Sequence, residues 1–307
     1  MFTLRQYLLA LLDSRGLTRT LGEIDVCRDE QGRPCFSAGN SAAVFRIRLG
    51  GRIRSLRCYL RPMRYLKEIY GQRLLEKELY LHTSPETGVW VDTVLGNWIE
   101  GSTLHETVAQ AAALRDRESL QILVRLFDRL ALALVTDDRA HGDLKPENII
   151  VGDDGTLCPI DFDASYLPAF AGEISPELGT AAYQHPARTA ADFDERIDDY
   201  PAALISTALH ALAEDPTLWD RYGSSDGLLY TPQRIASDPA YRETLALFEK
   251  RGMAVQYRIA QLLTAPTLRL FGLAELLAEA VREKPAARSG TEAETPELFV
   301  ENGRWGY

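Results

Sequence analysis

The spacing of apolar residues along this 307-residue chain changes character near residue 100. Before that point they come in short runs broken by glycine and polar turns; after it they recur every three or four residues. Residues 1–13 read as a short amphipathic helix. Residues 24–27 and 34–36, on either side of Asp29-Glu30-Gln31-Gly32, predict strand, turn and strand, and residues 44–49 and 53–60 predict a hairpin around Gly50-Gly51. A helical pattern runs from about residue 62 to 75, and a further two-strand pattern ends in the run 91–101. Across residues 118–134, Leu120, Leu123, Val124, Leu126, Phe127, Leu130 and Leu132 recur at helical spacing. A strand-rich first third followed by a helical remainder predicts an α+β protein of two lobes.

Composition narrows the class. Apolar residues make up 46% and charged residues 25%, ordinary for a soluble globular protein. A net charge of −10 argues against non-specific binding to nucleic acid or an anionic membrane. No apolar run reaches membrane-spanning length, and the first residues are too polar for a secretory signal. Cys27, Cys35, Cys58 and Cys158 form no C-x-x-C pair, so free thiols in a reducing cytoplasm are expected.

The chemistry concentrates in one stretch. His141-Gly142-Asp143-Leu144-Lys145-Pro146-Glu147-Asn148 sets a carboxylate, an ammonium and an amide at short fixed intervals. Asp161-Phe162-Asp163 begins 13 residues past Asn148. Glu177-Leu178-Gly179-Thr180-Ala181-Ala182-Tyr183-Gln184-His185-Pro186 follows, and then Asp198 in Ile197-Asp198-Asp199-Tyr200.

In this order and spacing the motifs resemble the eukaryotic-type protein kinase superfamily, in a divergent form like the bacterial serine/threonine kinases, over about residues 20 to 270. The resemblance implies a bilobal fold with a β-rich small lobe and a mainly helical large lobe. It makes Asp143 the residue that orients the attacking hydroxyl and Lys145 the cation beside the transferred phosphoryl group. Asn148 and Asp161 become the ligands of Mg2+, with Mn2+ as the alternative ion. His141 would pack on Phe162, and Asp198 would accept backbone N–H bonds from the catalytic loop. Residues 177–186 match the end of an activation segment, G-T-x-x-Y-x-x-P, with Thr180 near Asp143 and Lys145 as in Ser/Thr kinases. Gly142 stands where many regulated kinases carry an arginine that reads a phosphorylated segment. Activation is therefore expected not to need that phosphate, unless another cation such as Arg188 serves.

The first third departs from the pattern. The glycine-rich loop falls on residues 37–44, where only Gly39 survives and Val44 takes the final position. The β3 lysine falls on Arg57, which keeps the charge but is planar and longer. Its partner on the next helix is expected to be Glu68, with Glu76 as the alternative. Asn97-Trp98-Ile99 falls on the segment joining the lobes, where backbone groups of Asn97 and Ile99 would meet adenine and Trp98 would pack. Gly96 would leave the back of that pocket open. Asp163 replaces the glycine of Asp-Phe-Gly and reads best as a turn-capping residue.

The expected organisation is an N-terminal helix (1–18), small lobe and joining segment (19–101), large lobe (102–281), a flexible linker (282–297) and a tail (298–307). Residues 283–296 hold no large apolar side chain. The tail resembles the opening of a WG repeat, a unit that would recruit partners if it belongs to a longer array. The expected activity is transfer of the γ-phosphate of ATP to a Ser or Thr of a protein substrate. A nucleotide-binding pseudokinase is the second reading, and a small-molecule kinase the third.

Overall fold

In the computed structural model, which describes residues 1–282, two units divide the chain between Ile99 and Glu100. The first unit opens with helix α1 (Leu4–Leu12). Thr3 and Gln6 start it with reciprocal side-chain-to-backbone bonds, and its inner face buries Tyr7, Ala10 and Leu11. Strands β1 (Asp25–Val26), β2 (Phe36–Ala38), β3 (Ala42–Leu49) and β4 (Arg52–Tyr59) follow. Then come the short helix α2 (Leu66–Tyr70) and strands β5 (Leu74–His82) and β6 (Gly88–Asn97). They form one antiparallel sheet of order β1-β3-β4-β6-β5, with β2 also pairing β3.

Leu49 faces Arg52 across the predicted hairpin, and Gly50 and Gly51 both take positive φ (55° and 79°). That is the two-residue turn whose twist matches the strands, and glycine enters it at least cost. Period-two alternation along β3 and β4 sends Phe45, Ile47, Leu56 and Cys58 to one face, where they meet Tyr7, Leu11, Leu79 and Leu81. Tyr7 also donates its hydroxyl to the Tyr59 carbonyl at 2.6 Å. The opposite face carries Ala42, Tyr59 and Val94 and is covered by Tyr70, Leu66 and Ile69 of α2.

The helix predicted over 62–75 is much shorter. Tyr65 (φ 62°) delays its start and Gly71 (φ 53°) ends it. Leu74 is then taken by the sheet, paired with Val94. Buried Glu78 on β5 accepts the N–H groups of Arg19, Thr20 and Leu21 (3.1, 2.8 and 2.8 Å), pinning the chain between α1 and β1.

The second unit begins with β7 (Gly101–Thr103), α3 (Leu104–Ala113) and α4 (Arg117–Thr136). Strands β8 (Ile149–Gly152) and β9 (Leu157–Pro159) complete a three-stranded antiparallel sheet of order β7-β8-β9. Helices α5 (Asp199–Glu214), α6 (Leu218–Tyr222), α7 (Pro239–Arg251), α8 (Ala254–Leu262) and α9 (Leu273–Arg282) follow. Helix α4 spans the predicted stretch 118–134 and buries Leu120, Leu123, Val124, Phe127 and Leu130. Buried Asp128 ties it to α5, accepting from Ser206 Oγ at 2.7 Å and lying 2.8 Å from His210 Nε2. Helix α5 is buried almost all round and forms the centre of this unit.

The expected α+β architecture, an antiparallel sheet and then a helical unit, is the observed one. Among the described residues no helix is long and apolar enough to cross a membrane, and the four cysteines are free. Arg282 closes α9; the rest of the predicted linker and the repeat-like tail lie outside the described residues.

Candidate active site

The loop between α4 and β8 is held from below. Asp198, buried just before α5, accepts the N–H of His141 and, at 3.0 Å, that of Gly142. Burial pushes its carboxyl above the usual range, and the neighbouring His141 and Arg188 together with these hydrogen bonds pull it back. His141 is fully buried against Phe162, with ring centroids 4.8 Å apart. Its Nδ1 accepts the Asp143 N–H at 3.3 Å, so Nε2 carries the proton donated to the Ile160 carbonyl at 2.8 Å. With both ring nitrogens spent, His141 is a brace for the loop.

Above this brace the predicted catalytic side chains converge. Asp143 Oδ1 accepts the N–H of Thr180 at 2.5 Å, and Lys145 Nζ donates to Thr180 Oγ1 at 2.8 Å. Lys145 Nζ also lies 3.5 Å from Asp143 Oδ2. Asn148 Nδ2 donates to the Asp143 carbonyl at 2.9 Å and to its Oδ2 at 3.2 Å. A charge-assisted bond such as Thr180 to Asp143 contributes about 1.5–3 kcal/mol, enough to fix the carboxylate's rotamer. Asp143 is 16% exposed and Lys145 23%, so both remain reachable by a ligand.

The fit to a divalent cation can be judged from Asn148. Both of its donors face Asp143, so its Oδ1 is left as a hard oxygen donor with no hydrogen bond among the described residues. Asp161 is brought beside it because Ile160 N–H donates to the Asn148 carbonyl at 2.8 Å. Asp161 takes φ 68°, a left-handed conformation that costs a non-glycine residue about 1–2 kcal/mol. An amide oxygen and a carboxylate suit Mg2+, with other ligands completing its shell; among the described residues no group of three His, Cys, Asp or Glu forms an all-protein metal site.

The residues expected to meet nucleotide in the first unit do not assemble in the same way. Val44 and Arg57 sit opposite each other on β3 and β4, and Arg57 lies over the Tyr59 ring at 5.7 Å. Glu68, the expected partner of Arg57, is exposed and makes no ion pair among the described residues. The five-residue α2 turns Leu66, Ile69 and Tyr70 to the sheet, which leaves Glu68 on its outer side. The alternative, Glu76, lies on β5 and faces Lys67 at 3.7 Å. Gly39 belongs to a tight reversal closed by its own N–H to the Ala42 carbonyl at 2.9 Å. Asn97 accepts Arg54 on its side chain and the Ser55 hydroxyl on its carbonyl at 3.0 Å. That leaves only part of its backbone for adenine. A Cβ on Gly96 would fall 2.7 Å from Ser55 Oγ, so the glycine accommodates Ser55. Trp98 packs under Arg46 at 5.7 Å, and Ile99 is half-buried.

Gln184 had no role in the sequence reading, although it lies inside a matched motif. It is buried and accepts from Arg188, which also donates to the Gly142 carbonyl at 3.0 Å. Only the spacing of Tyr183-Gln184-His185-Pro186 hinted at it.

Among known proteins, the chain is 30% identical over 167 residues to CBL-interacting protein kinase 17 of Oryza sativa subsp. japonica, covering 53% of this chain and 35% of that protein. It is 34% identical over 113 residues to serine/threonine-protein kinase PknL of Mycobacterium tuberculosis, covering 35% of this chain and 27% of that protein. PknL of Mycobacterium bovis matches to the same extent. The chain thus spans only about a third of the length of the curated relatives it matches. No protein-family model matches it, and these matches lend no support to the repeat-like tail. The matched kinases, together with a loop that gathers Asp143, Lys145, Asn148 and Thr180, make this chain a distant and partial relative of the protein kinases.

Proposed function

We propose that this protein transfers the γ-phosphate of ATP to a serine or threonine hydroxyl of a protein substrate. One observation carries the reading: Thr180 is bonded at once to Asp143 and Lys145. Asp143 Oδ2 already accepts from Asn148 Nδ2 at 3.2 Å, and its second lone pair can meet a substrate hydroxyl, orienting it and taking its proton as the new P–O bond forms and the bond to ADP breaks. Lys145, held by Thr180, offers its ammonium to the charge on the transferred phosphoryl oxygens. Asn148 Oδ1 and Asp161 would hold Mg2+ or Mn2+, which when bound neutralises phosphate charge. Gly39, Val44, Arg57, Asn97 and Ile99 are the nucleotide contacts we assign to the first unit.

The test is incubation with γ-labelled ATP and Mg2+ or Mn2+, a generic basic protein as acceptor, and identification of the labelled amino acids. Phosphoserine or phosphothreonine is expected. Label confined to a small alcohol or sugar would move the assignment to a small-molecule kinase. A second reading, a nucleotide-binding pseudokinase, is favoured by Glu68, which is exposed on the outer side of α2 and makes no ion pair among the described residues. Thermal stabilisation by ATP with no label in any acceptor would establish it.

A further inference from the structure

Gly142 has a backbone that other residues do not adopt cheaply. Its φ is +80°, and a Cβ there would lie 2.0 Å from the Ala164 carbonyl oxygen. The arginine that the resemblance expects at this position has no room. A different arginine reaches the same place from 46 residues further on: Arg188 Nη1 donates to the Gly142 carbonyl at 3.0 Å and to Gln184 Oε1.

The segment before Arg188 lies directly on the loop. At Gly179 (φ +72°) a Cβ would meet the Gly142 carbonyl oxygen at 2.7 Å, Gln184 Nε2 at 2.8 Å and Asp143 Oδ1 at 3.0 Å. The next N–H, that of Thr180, is the one bonded to Asp143. His185 anchors the far side, with Nε2 3.0 Å from the Ala265 carbonyl and Nδ1 accepting the Ala187 N–H at 3.1 Å. Burial pulls the Arg188 guanidinium's pKa down, and Asp198, Asp143, Asp192 and Asp194 act against that, so the cation sits among carboxylates. Its Nε and Nη2 are buried without a hydrogen-bond partner among the described residues, so its strongest visible engagement is with Gly142 and Gln184.

We propose that Arg188 is a positioning residue that clamps the activation segment to the catalytic loop in the unphosphorylated protein, so that transfer requires no phosphate on that segment. The inference rests on the kinase reading above. A phosphate-reading arginine closes only when a dianion is added, whereas the acceptors of Arg188 are a main-chain carbonyl and a neutral amide that are always present.

Hydrogen exchange and kinetics on the full chain, treated with phosphatase, test this. Wild-type protein should protect the Thr180 and Tyr183 amides. Arg188→Met should raise exchange there by about tenfold or more while α4 and α5 stay protected. It should lower kcat by about thirtyfold or more with KM for ATP within about twofold. Arg188→Lys should recover part of the loss, because both bonds leave the one nitrogen Nη1 and an ammonium can donate to the same two acceptors, but from a shorter side chain. Wild-type protection and kcat in Arg188→Met would overturn the clamp. So would a phosphatase-treated wild type whose Thr180 amide exchanges like an open loop, a measurement that still decides if Arg188→Met does not fold. Transfer by untreated wild type that phosphatase treatment abolishes would also overturn it; if neither preparation transfers, the kinase reading fails and the exchange data alone judge the clamp.

Discussion

Thr180 joins Asp143 and Lys145, lying 37 residues beyond the first and 35 beyond the second: its N–H donates to the carboxylate at 2.5 Å and its hydroxyl accepts from the ammonium at 2.8 Å. Removing the hydroxyl frees Lys145 but leaves the main-chain bond to Asp143. Thr180→Ala should therefore lower kcat by about 10- to 100-fold with ATP affinity unchanged, and Thr180→Ser should restore most of it. Steady-state kinetics beside a calorimetric ATP titration reads both.

Asp198 supplies two acceptors to two buried N–H groups. Asparagine has one carbonyl oxygen and turns an NH2 toward the other donor. Asp198→Asn should cost about 1–3 kcal/mol, the usual penalty for a buried donor left unpaired. Urea unfolding measures it, and an unchanged midpoint would contradict the brace described for the catalytic loop.

Gly142→Ala combines positive φ with an overlap against a main-chain oxygen, which no rotamer can relieve. The expected loss is about 2–4 kcal/mol, with transfer falling in parallel because Asp143 is the next residue. Thermal unfolding and an activity assay on the same preparation check the pair.

Asp199, 3% exposed at the start of α5, accepts the Leu270 N–H at 3.2 Å. Burial raises its pKa from 3.8 to about 7. The folded state thus holds this proton more tightly than the unfolded state. Its contribution is full below about pH 4 and is lost as pH rises through about 7. Asp199→Asn keeps the acceptor and removes the titration. The variant should gain on the wild type between pH 4.5 and 8 by about 1–4 kcal/mol, an upper range for one buried carboxylate. Denaturant melts at several pH values give the difference directly, and a gap independent of pH would contradict it.

What the sequence disclosed divides by the range of the interactions involved. The Gly50-Gly51 hairpin and the helix carrying Leu120, Leu123 and Phe127 were readable because turn chemistry and helical period are local. His141 to Asn148 was readable through its resemblance to the protein-kinase catalytic loop, whose residues stand at short fixed intervals. The length of α2 was not. It depends on Leu74 being drawn into the sheet opposite Val94, a pairing no local pattern announces, and with it went the expected contact of Glu68 with Arg57. The Arg188 to Gly142 bond was out of reach for the same reason, since 46 residues separate its partners.

The central claim is that Asp143 orients an attacking hydroxyl, and one comparison tests it most directly: transfer from γ-labelled ATP by wild type and Asp143→Asn, with ATP affinity measured on both. Asparagine can still accept the Thr180 N–H but cannot take a proton. Transfer should fall by about 10²–10⁴-fold while ATP affinity stays within about threefold. Equal transfer by the two proteins would show that Asp143 does not perform this step and would contradict the account.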